Sequence, residues 1–338
     1  MIKPRTFVSI VILGLLAGSG PLAAQAARGE KALQAGKYGE AVAEFQSATK
    51  DKKGKDWCKN TFFLAYAYYK NGQLPEAVAA FDDLFVKAEK LNCGTWGMLP
   101  AWHHWRGRAA YDSGQYQAAA SSFTSAAELA PAVVPDDFLP QWKLRALQPI
   151  KEYCFNWLGS AYYKLGSYQE AVGAFKRAIE QNPNDALHYR WLALAYLGLK
   201  DLDGSMAAVK RALEIKQDGD SYRILGDVHM AGRRFPEAVE AFRKSAENDP
   251  KRADLQKKLG EAYLKMEDFS SAVSAFTKGA ELAPDDPVFR YRIALAHGLA
   301  GRFDEAILSL DKGIDTVTWI GIGIQSGIEN GFPFLQRQ

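Results

Sequence analysis

A small residue returns about every 34 positions along this chain, at Ala171, Ser205, Ala238, Ala272 and Ala306, with separations of 34, 33, 34 and 34. A fixed period of this length predicts a stacked array, because a unit of that size buries its apolar face only against its neighbours. Residues 152–185 show the unit most plainly. Phe155, Leu158, Gly159 and Tyr162 share one helical stripe, and Gly166 ends that first helix. Tyr168, Ala171, Phe175 and Ala178 then define a second amphipathic helix, which Pro183 closes. Small Gly159, Ala171 and Ala178 allow two helix backbones to approach, while Tyr162, Tyr168 and Phe175 fill the spaces beside them.

The same columns recur along the chain. Ala65, Gly107, Ala193, Gly226, Gly260 and Ala294 stand in the Gly159 column. Phe45, Phe81, Phe123, Val209, Phe242, Phe276 and Leu310 stand in the Phe175 column. The Tyr168 column reads Tyr38, Leu74, Tyr116, Leu202, Phe235, Phe269 and Phe303, and Pro131, Pro250 and Pro284 match Pro183. Pro75 and Pro236 each precede a Glu-Ala pair, which suits the first turn of a helix.

The W/F-x-x-L-G-x-x-Y pattern followed by Ala, Phe, Ala and Pro resembles the tetratricopeptide repeat family. Eight units are read, near 22–55, 58–91, 100–133, 152–185, 186–218, 219–252, 253–286 and 287–320. The resemblance implies an all-α fold, a right-handed α-solenoid of about eight helix-turn-helix units, and a function in protein or peptide binding. The fifth unit departs most, with Lys200, Leu202 and Ser205 at three signature places.

Residues 1–26 read as an export signal. Lys3 and Arg5 give a positive start, Phe7–Ala17 is an apolar run broken by Ser9 and Gly14, and Ala24-Gln25-Ala26 fits a cleavage site that leaves Ala27 first. The apolar run falls short of the roughly 20 residues that span hydrocarbon. A periplasmic or secreted location is expected, peripheral to a membrane at most. Loss of Lys3 and Arg5 brings the formal net charge from +3 to about +1, which gives no case for a nucleic-acid partner. Spacing predicts an N-terminal block of three units over 27–133, a Pro-rich apolar insert over 134–151 with a short helix at Gln141–Leu147, and a C-terminal block of five units over 152–320. Residues 321–338 continue an apolar, Gly-rich stretch that suits a helix poorly. That tail covers the open end of the array, contacts a partner, or is an abnormal terminus.

The units, leader, insert and tail occupy the chain and leave no stretch for a separate catalytic domain. No nucleophile motif, Gly-rich phosphate loop or zinc-ligand spacing appears, so no cofactor or metal is expected. His103 and His104 point about 100° apart on a helix and cannot easily share a metal. His229 and His297 fall in the Tyr162 column, where packing is their expected role. Cys58 and Cys93 bracket the second unit, where antiparallel helices would bring them together in a disulfide, with Cys93–Cys154 the competitor.

In the family, the first helix of each unit lines a concave groove. Carried over by register, that face comprises Phe62, Tyr66 and Tyr69, then His104, Arg108 and Tyr111, then Tyr153, Asn156, Ser160 and Tyr163. Arg190, Arg223, Asp227, Lys257 and Glu261 continue it. Aromatics beside arginine are frequent in contact hot spots, though neighbouring units could equally cover them. The family's Lys/Asn/Arg clamp for a peptide carboxylate is not found in register. Two functions are expected on this basis. One is an exported, non-catalytic scaffold that binds a protein or peptide and supports a cell-envelope complex. The alternative is a carbohydrate-binding accessory factor in polysaccharide or cell-wall export.

Overall fold

The computed structural model describes residues 21–50, 54–88, 90–91, 99–129 and 141–311. Every regular element among them is an α-helix, and consecutive helices pack in pairs, which makes the fold an all-α solenoid. The chain divides into two compact bodies, Met1–Asp201 and Leu202–Gln338.

In the first body, α1 (Pro21–Gln34) pairs with α2 (Tyr38–Ala48), and α3 (Gly54–Lys70) with α4 (Leu74–Ala88). Next come α5 (Leu99–Asp112) with α6 (Tyr116–Leu129), and α7 (Gln141–Lys164) with α8 (Tyr168–Gln181), then α9 (Ala186–Gly198). First helices of successive pairs also touch one another, α3 with α5, α5 with α7 and α7 with α9. The second body opens with α10 (Leu202–Ile215). It continues with α11 (Gly219–Ala231) on α12 (Phe235–Asn248), α13 (Ala253–Lys265) on α14 (Phe269–Leu282), and α15 (Pro287–Leu299) on α16 (Phe303–Asp311).

The two columns read from the sequence meet in space. A Cβ added to Gly159 would lie 2.6 Å from the Phe175 ring, and one on Gly107 would lie 2.8 Å from Phe123. In the second body Gly226 lies under Phe242 and Gly260 under Phe276 in the same way. Each such phenylalanine is essentially inaccessible to water, and burial of a side chain of that size stabilises by about 1.5–3 kcal/mol.

Hairpin turns within the pairs require a left-handed residue. Gly36, Gly72, Gly114, Gly166 and Gly301 supply it with φ between 73° and 80°. Lys200, Arg233 and Glu267 take the same place at φ 61°, 56° and 59°, a conformation that L side chains resist. Asp185, Asp218, Asp268 and Asp286 cap the next helices by accepting from a backbone N–H two or three residues on.

Two features differ from the sequence reading. The helix expected at Gln141–Leu147 does not stand alone: it continues through Pro149 to Lys164 as α7. The third and fourth pairs also share one core, in which Phe123 stacks on Trp157 at 6.2 Å. Residues 1–20, 130–140 and 312–338 lie outside the described residues, and with them most of the expected signal, much of the insert and the tail. Helix α1 passes through the expected cleavage point between Ala26 and Ala27.

Candidate functional site

The first helices of the first body carry a recurrent aromatic arrangement. Each of α5, α7 and α9 holds a tryptophan, Trp105, Trp157 and Trp191, that receives a tyrosine from the preceding first helix. Tyr69 approaches Trp105 at 5.6 Å, Tyr111 meets Trp157 edge-on at 5.2 Å, and Tyr163 meets Trp191 edge-on at 5.9 Å. Tyr66 adds a closer edge contact to Trp105 at 4.7 Å. Two of the tryptophans lay their other side on the core, Trp157 on Phe123 and Trp191 on Phe175. Edge-to-face pairs of this kind contribute about 0.5–1.5 kcal/mol beyond burial. The rings are half-buried and remain in reach of solvent.

Arg108 sits at the centre of this face. Its guanidinium carbon stands 3.8 Å from the centre of the Trp157 ring and 5.8 Å from that of Tyr69. The Nη2 group donates to the Tyr69 hydroxyl at 2.9 Å, and that hydroxyl donates to Asp112 Oδ2 at 2.7 Å. Burial pushes the Tyr69 phenol up to about 12, with Arg108 opposing and Asp112 assisting. The Nε atom of Arg108 is enclosed and meets no hydrogen-bond partner among the described residues. The guanidinium is held in place by the indole, by the Tyr69 hydroxyl and by Asp112, whose Oδ2 lies 3.7 Å from Nη2.

The expected groove residues separate into surface and interior. Tyr66, Tyr69, Arg108, Tyr111 and Tyr163 are half-buried on the ladder, and Tyr153 on α7 is exposed. Phe62, by contrast, is a core residue packed against Phe63, Phe81 and Trp102. Asn156 and Ser160 are buried, and Asn156 Oδ1 lies 3.3 Å from Nδ1 of the wholly buried His188. His104 turns inward to Phe123 and to Cys154, whose Sγ lies 3.6 Å from its Nδ1. Phe62 and Asn156 are therefore covered by the next first helix and hold the units together, while His104 is half-buried with its ring turned toward that helix. Arg190 is half-buried.

In the second body Arg223 belongs to a chain of ion pairs. It contacts Asp227 at 3.2 Å and Asp220 at 3.6 Å, Lys258 reaches Asp227 at 2.7 Å, and Arg252 joins Asp220 at 2.9 Å and Asp254 at 2.7 Å. Glu261 is taken by Arg292 at 3.1 Å. These side chains neutralise one another, so this stretch offers a ligand little unmatched charge.

The histidine pair divides between elements. His103 stacks on Phe85 at 4.3 Å while His104 faces Cys154. Burial lowers His103 to about 4, with Arg106 adding, and His104 to about 3, with Arg108 adding. Among the described residues no three His, Cys, Asp or Glu side chains are gathered as a metal would need. Cys154 is a free, buried thiol pushed up to about 12 by burial, which removes the Cys93–Cys154 alternative. Cys58 is buried in α3, and Cys93 lies outside the described residues. His229 and His297 are half-buried, and burial lowers both.

The tryptophans of the ladder were not among the residues expected from sequence. The inserts stretch the spacings from Phe63 to Trp105 and from Trp105 to Trp157 to 42 and 52 positions, against the plain 34 from Trp157 to Trp191, and only with the inserts removed do the four fall in one column.

Family models described as tetratricopeptide repeat match residues 26–89 and 158–220, and residues 229–290, together more than half of the chain. No curated protein sequence matches. Among solved structures, a tetratricopeptide repeat protein from Parabacteroides merdae is 14% identical with a TM-score of 0.58, over 81% of this chain and 98% of its own. A thermophilic TPR protein of Thermus thermophilus is 20% identical with a TM-score of 0.46, over 58% and 98%. MamA from Desulfovibrio magneticus is 18% identical with a TM-score of 0.45, over 57% and 99%. Likeness at this level of identity concerns the fold alone.

Proposed function

Because the chain belongs to the tetratricopeptide repeat family, we propose that it is an exported, non-catalytic scaffold that holds a protein or peptide partner and supports assembly of a cell-envelope complex. The observation that carries this reading is the tyrosine–tryptophan ladder with Arg108 fixed upon it. Half-buried aromatic rings around one oriented arginine match the chemistry of contact hot spots, since such side chains bury large area with few rotamers to freeze. A partner segment lying across α3, α5, α7 and α9 would meet rings throughout and, near the middle, Arg108 beside Asp112. Capture from an envelope extract tests the reading. Tyr66→Ala, Arg108→Ala and Tyr163→Ala should each weaken retention of one defined partner, Arg108→Ala by about 1–2 kcal/mol. Equal retention by all three would remove this face from the proposal.

The same rings favour a second reading, a carbohydrate-binding accessory factor, because sugar rings stack on indole and phenol faces. Calorimetric titration with cell-wall and capsular glycans separates the two readings, since a protein partner leaves those titrations silent.

Export rests on the N-terminal pattern around Lys3, Arg5 and Ala24-Gln25-Ala26. Mature protein recovered from the envelope should begin at Ala27, and an N-terminus at Met1 would refute cleavage. In an oxidising compartment Cys58 and Cys93 pair and Cys154 stays reduced, so the native protein should carry one disulfide and one thiol, reactive only after denaturation.

A further inference from the structure

The ladder of the first body has a chemical bias that its own packing does not use. At each rung a tyrosine and a tryptophan cross at a steep angle, 54° for Tyr69 and Trp105, 74° for Tyr111 and Trp157, and 69° for Tyr163 and Trp191. Two half-buried rings set across each other in this way form an apolar notch. Among the described residues no partner meets Nε1 of Trp105, Trp157 or Trp191, and none of these atoms is enclosed as that of Trp102 is. Nη1 of Arg108 is open in the same way. All of these groups are donors. Acceptors to match them are scarce. The first helices α3, α5, α7 and α9 carry only Asp56, Asp112 and Glu152 as acids, and Asp112 is already taken by the Tyr69 hydroxyl and Arg108.

A face of rings and spare donors fits a ligand that brings compact apolar rings and unpaired acceptors. A proline-rich chain is such a ligand, since each proline has a carbonyl and no N–H, and the polyproline II helix leaves every carbonyl free. An ordinary extended peptide also brings N–H groups that find no acceptor here. A sugar brings hydroxyls that must donate as well as accept, to a face whose carboxylate is taken. The spacing agrees. First helices of successive pairs touch, and helices in contact lie about 8–10 Å apart. Polyproline II rises about 3.1 Å per residue with three residues per turn, so one residue in three returns to the same side every ~9 Å.

We propose that the ladder is the docking groove for a proline-rich segment of about nine residues in the polyproline II conformation, with one residue in three seated at each tyrosine–tryptophan pair and its carbonyls accepting from the indole N–H groups. This deepens the reading of the ladder as the partner-binding face and rests on it. Arg108 and Asp112 stay paired in the complex, so the segment need carry no charge.

Titration of the full chain with end-blocked oligoprolines, lengthened by whole turns and followed by tryptophan emission and calorimetry, tests this. Affinity should rise roughly three- to tenfold with each added turn until about nine residues are reached, one hydrogen bond and one rung at a time, and then level off. Trp157→Phe and Trp191→Phe keep a ring and lose the donor, so each should weaken binding of the longest peptide by a similar factor with helicity retained. If one of them fails to fold, the other carries the test. A glycine–serine peptide and a chito-oligosaccharide of similar length should give no signal. Binding that ignores length or proline content would overturn the proposal, and so would a response to the oligosaccharide alone, which would assign the rings to sugars. A captured partner that depends on Arg108 yet is not displaced by the longest oligoproline would sink the proline specificity and leave the partner-binding face standing. Capture indifferent to Tyr66→Ala, Arg108→Ala and Tyr163→Ala would sink both.

Discussion

Phe175 is sealed against Gly159 on one side and stacked on Trp191 at 6.0 Å on the other, so a single ring joins two neighbouring pairs. Phe175→Ala should destabilise the first body by about 3–5 kcal/mol, the usual consequence of a large buried cavity, as read from the urea midpoint at constant m-value. The adjacent histidines of α5 make a second residue-scale prediction. His104 and His103 are held neutral in the folded chain, at about 3 and about 4, chiefly by burial. The unfolded chain protonates both as pH falls through about 6.5. Between those values the unfolded state binds more protons, so stability is full above about 6.5 and is lost on acidification. For His104 the loss from pH 6.5 to 5 is about 2 kcal/mol. Thermal unfolding should therefore fall with pH over that window, and His104→Phe should flatten the fall. A pH-independent midpoint would mean the ring is more open than its packing shows. At this scale the sequence was partly legible. Phe175 and Gly159 could be paired by period alone, but the interior position of Phe62 and Asn156 could not, because what covers them comes from the next first helix. Register on one helix says which side a residue is on and nothing of what lies opposite.

At the level of helices and turns, the chain uses one solution repeatedly and departs from it at three hairpins. Lys200, Arg233 and Glu267 hold the left-handed conformation that glycine holds at Gly36, Gly72, Gly114, Gly166 and Gly301. Left-handed backbone costs a residue with a Cβ about 1–2 kcal/mol, offset in part by the greater freedom glycine has when unfolded. Lys200→Gly or Glu267→Gly should thus stabilise by about 0.5–1 kcal/mol, measurable as a higher denaturation midpoint, and a lowered midpoint would show that the native side chain has a role at the turn. Helix pairing was legible because periodicity, turn glycines and closing prolines agree with one another. The aromatic ladder was not, since the long spacing between Trp105 and Trp157 hides the column they share. The length of α7 was missed because a proline-rich stretch, read alone, suggests an interruption.

For the molecule as a whole, stability in a stacked array is close to a sum of neighbour terms. A lesion should then stay near its origin. Phe242→Ala should speed hydrogen exchange through α11–α14 while α3–α8 keep most of their protection, and uniform loss across both bodies would show that the chain unfolds as one unit. The bodies also differ in what they present. The first offers a row of rings with Arg108 paired to Asp112 among them, the second a connected set of ion pairs in place of rings. Added salt should consequently leave partner capture through the ladder largely intact.

The glycine-under-phenylalanine contact has a further implication for how such a gene can change. Gly226 with Phe242 and Gly260 with Phe276 are the same joint built twice. An unequal crossover between the codons of Gly226 and Gly260 would excise one pair and leave a seam made of side chains that already fit. The number of storeys can drift by whole floors while every landing stays sound.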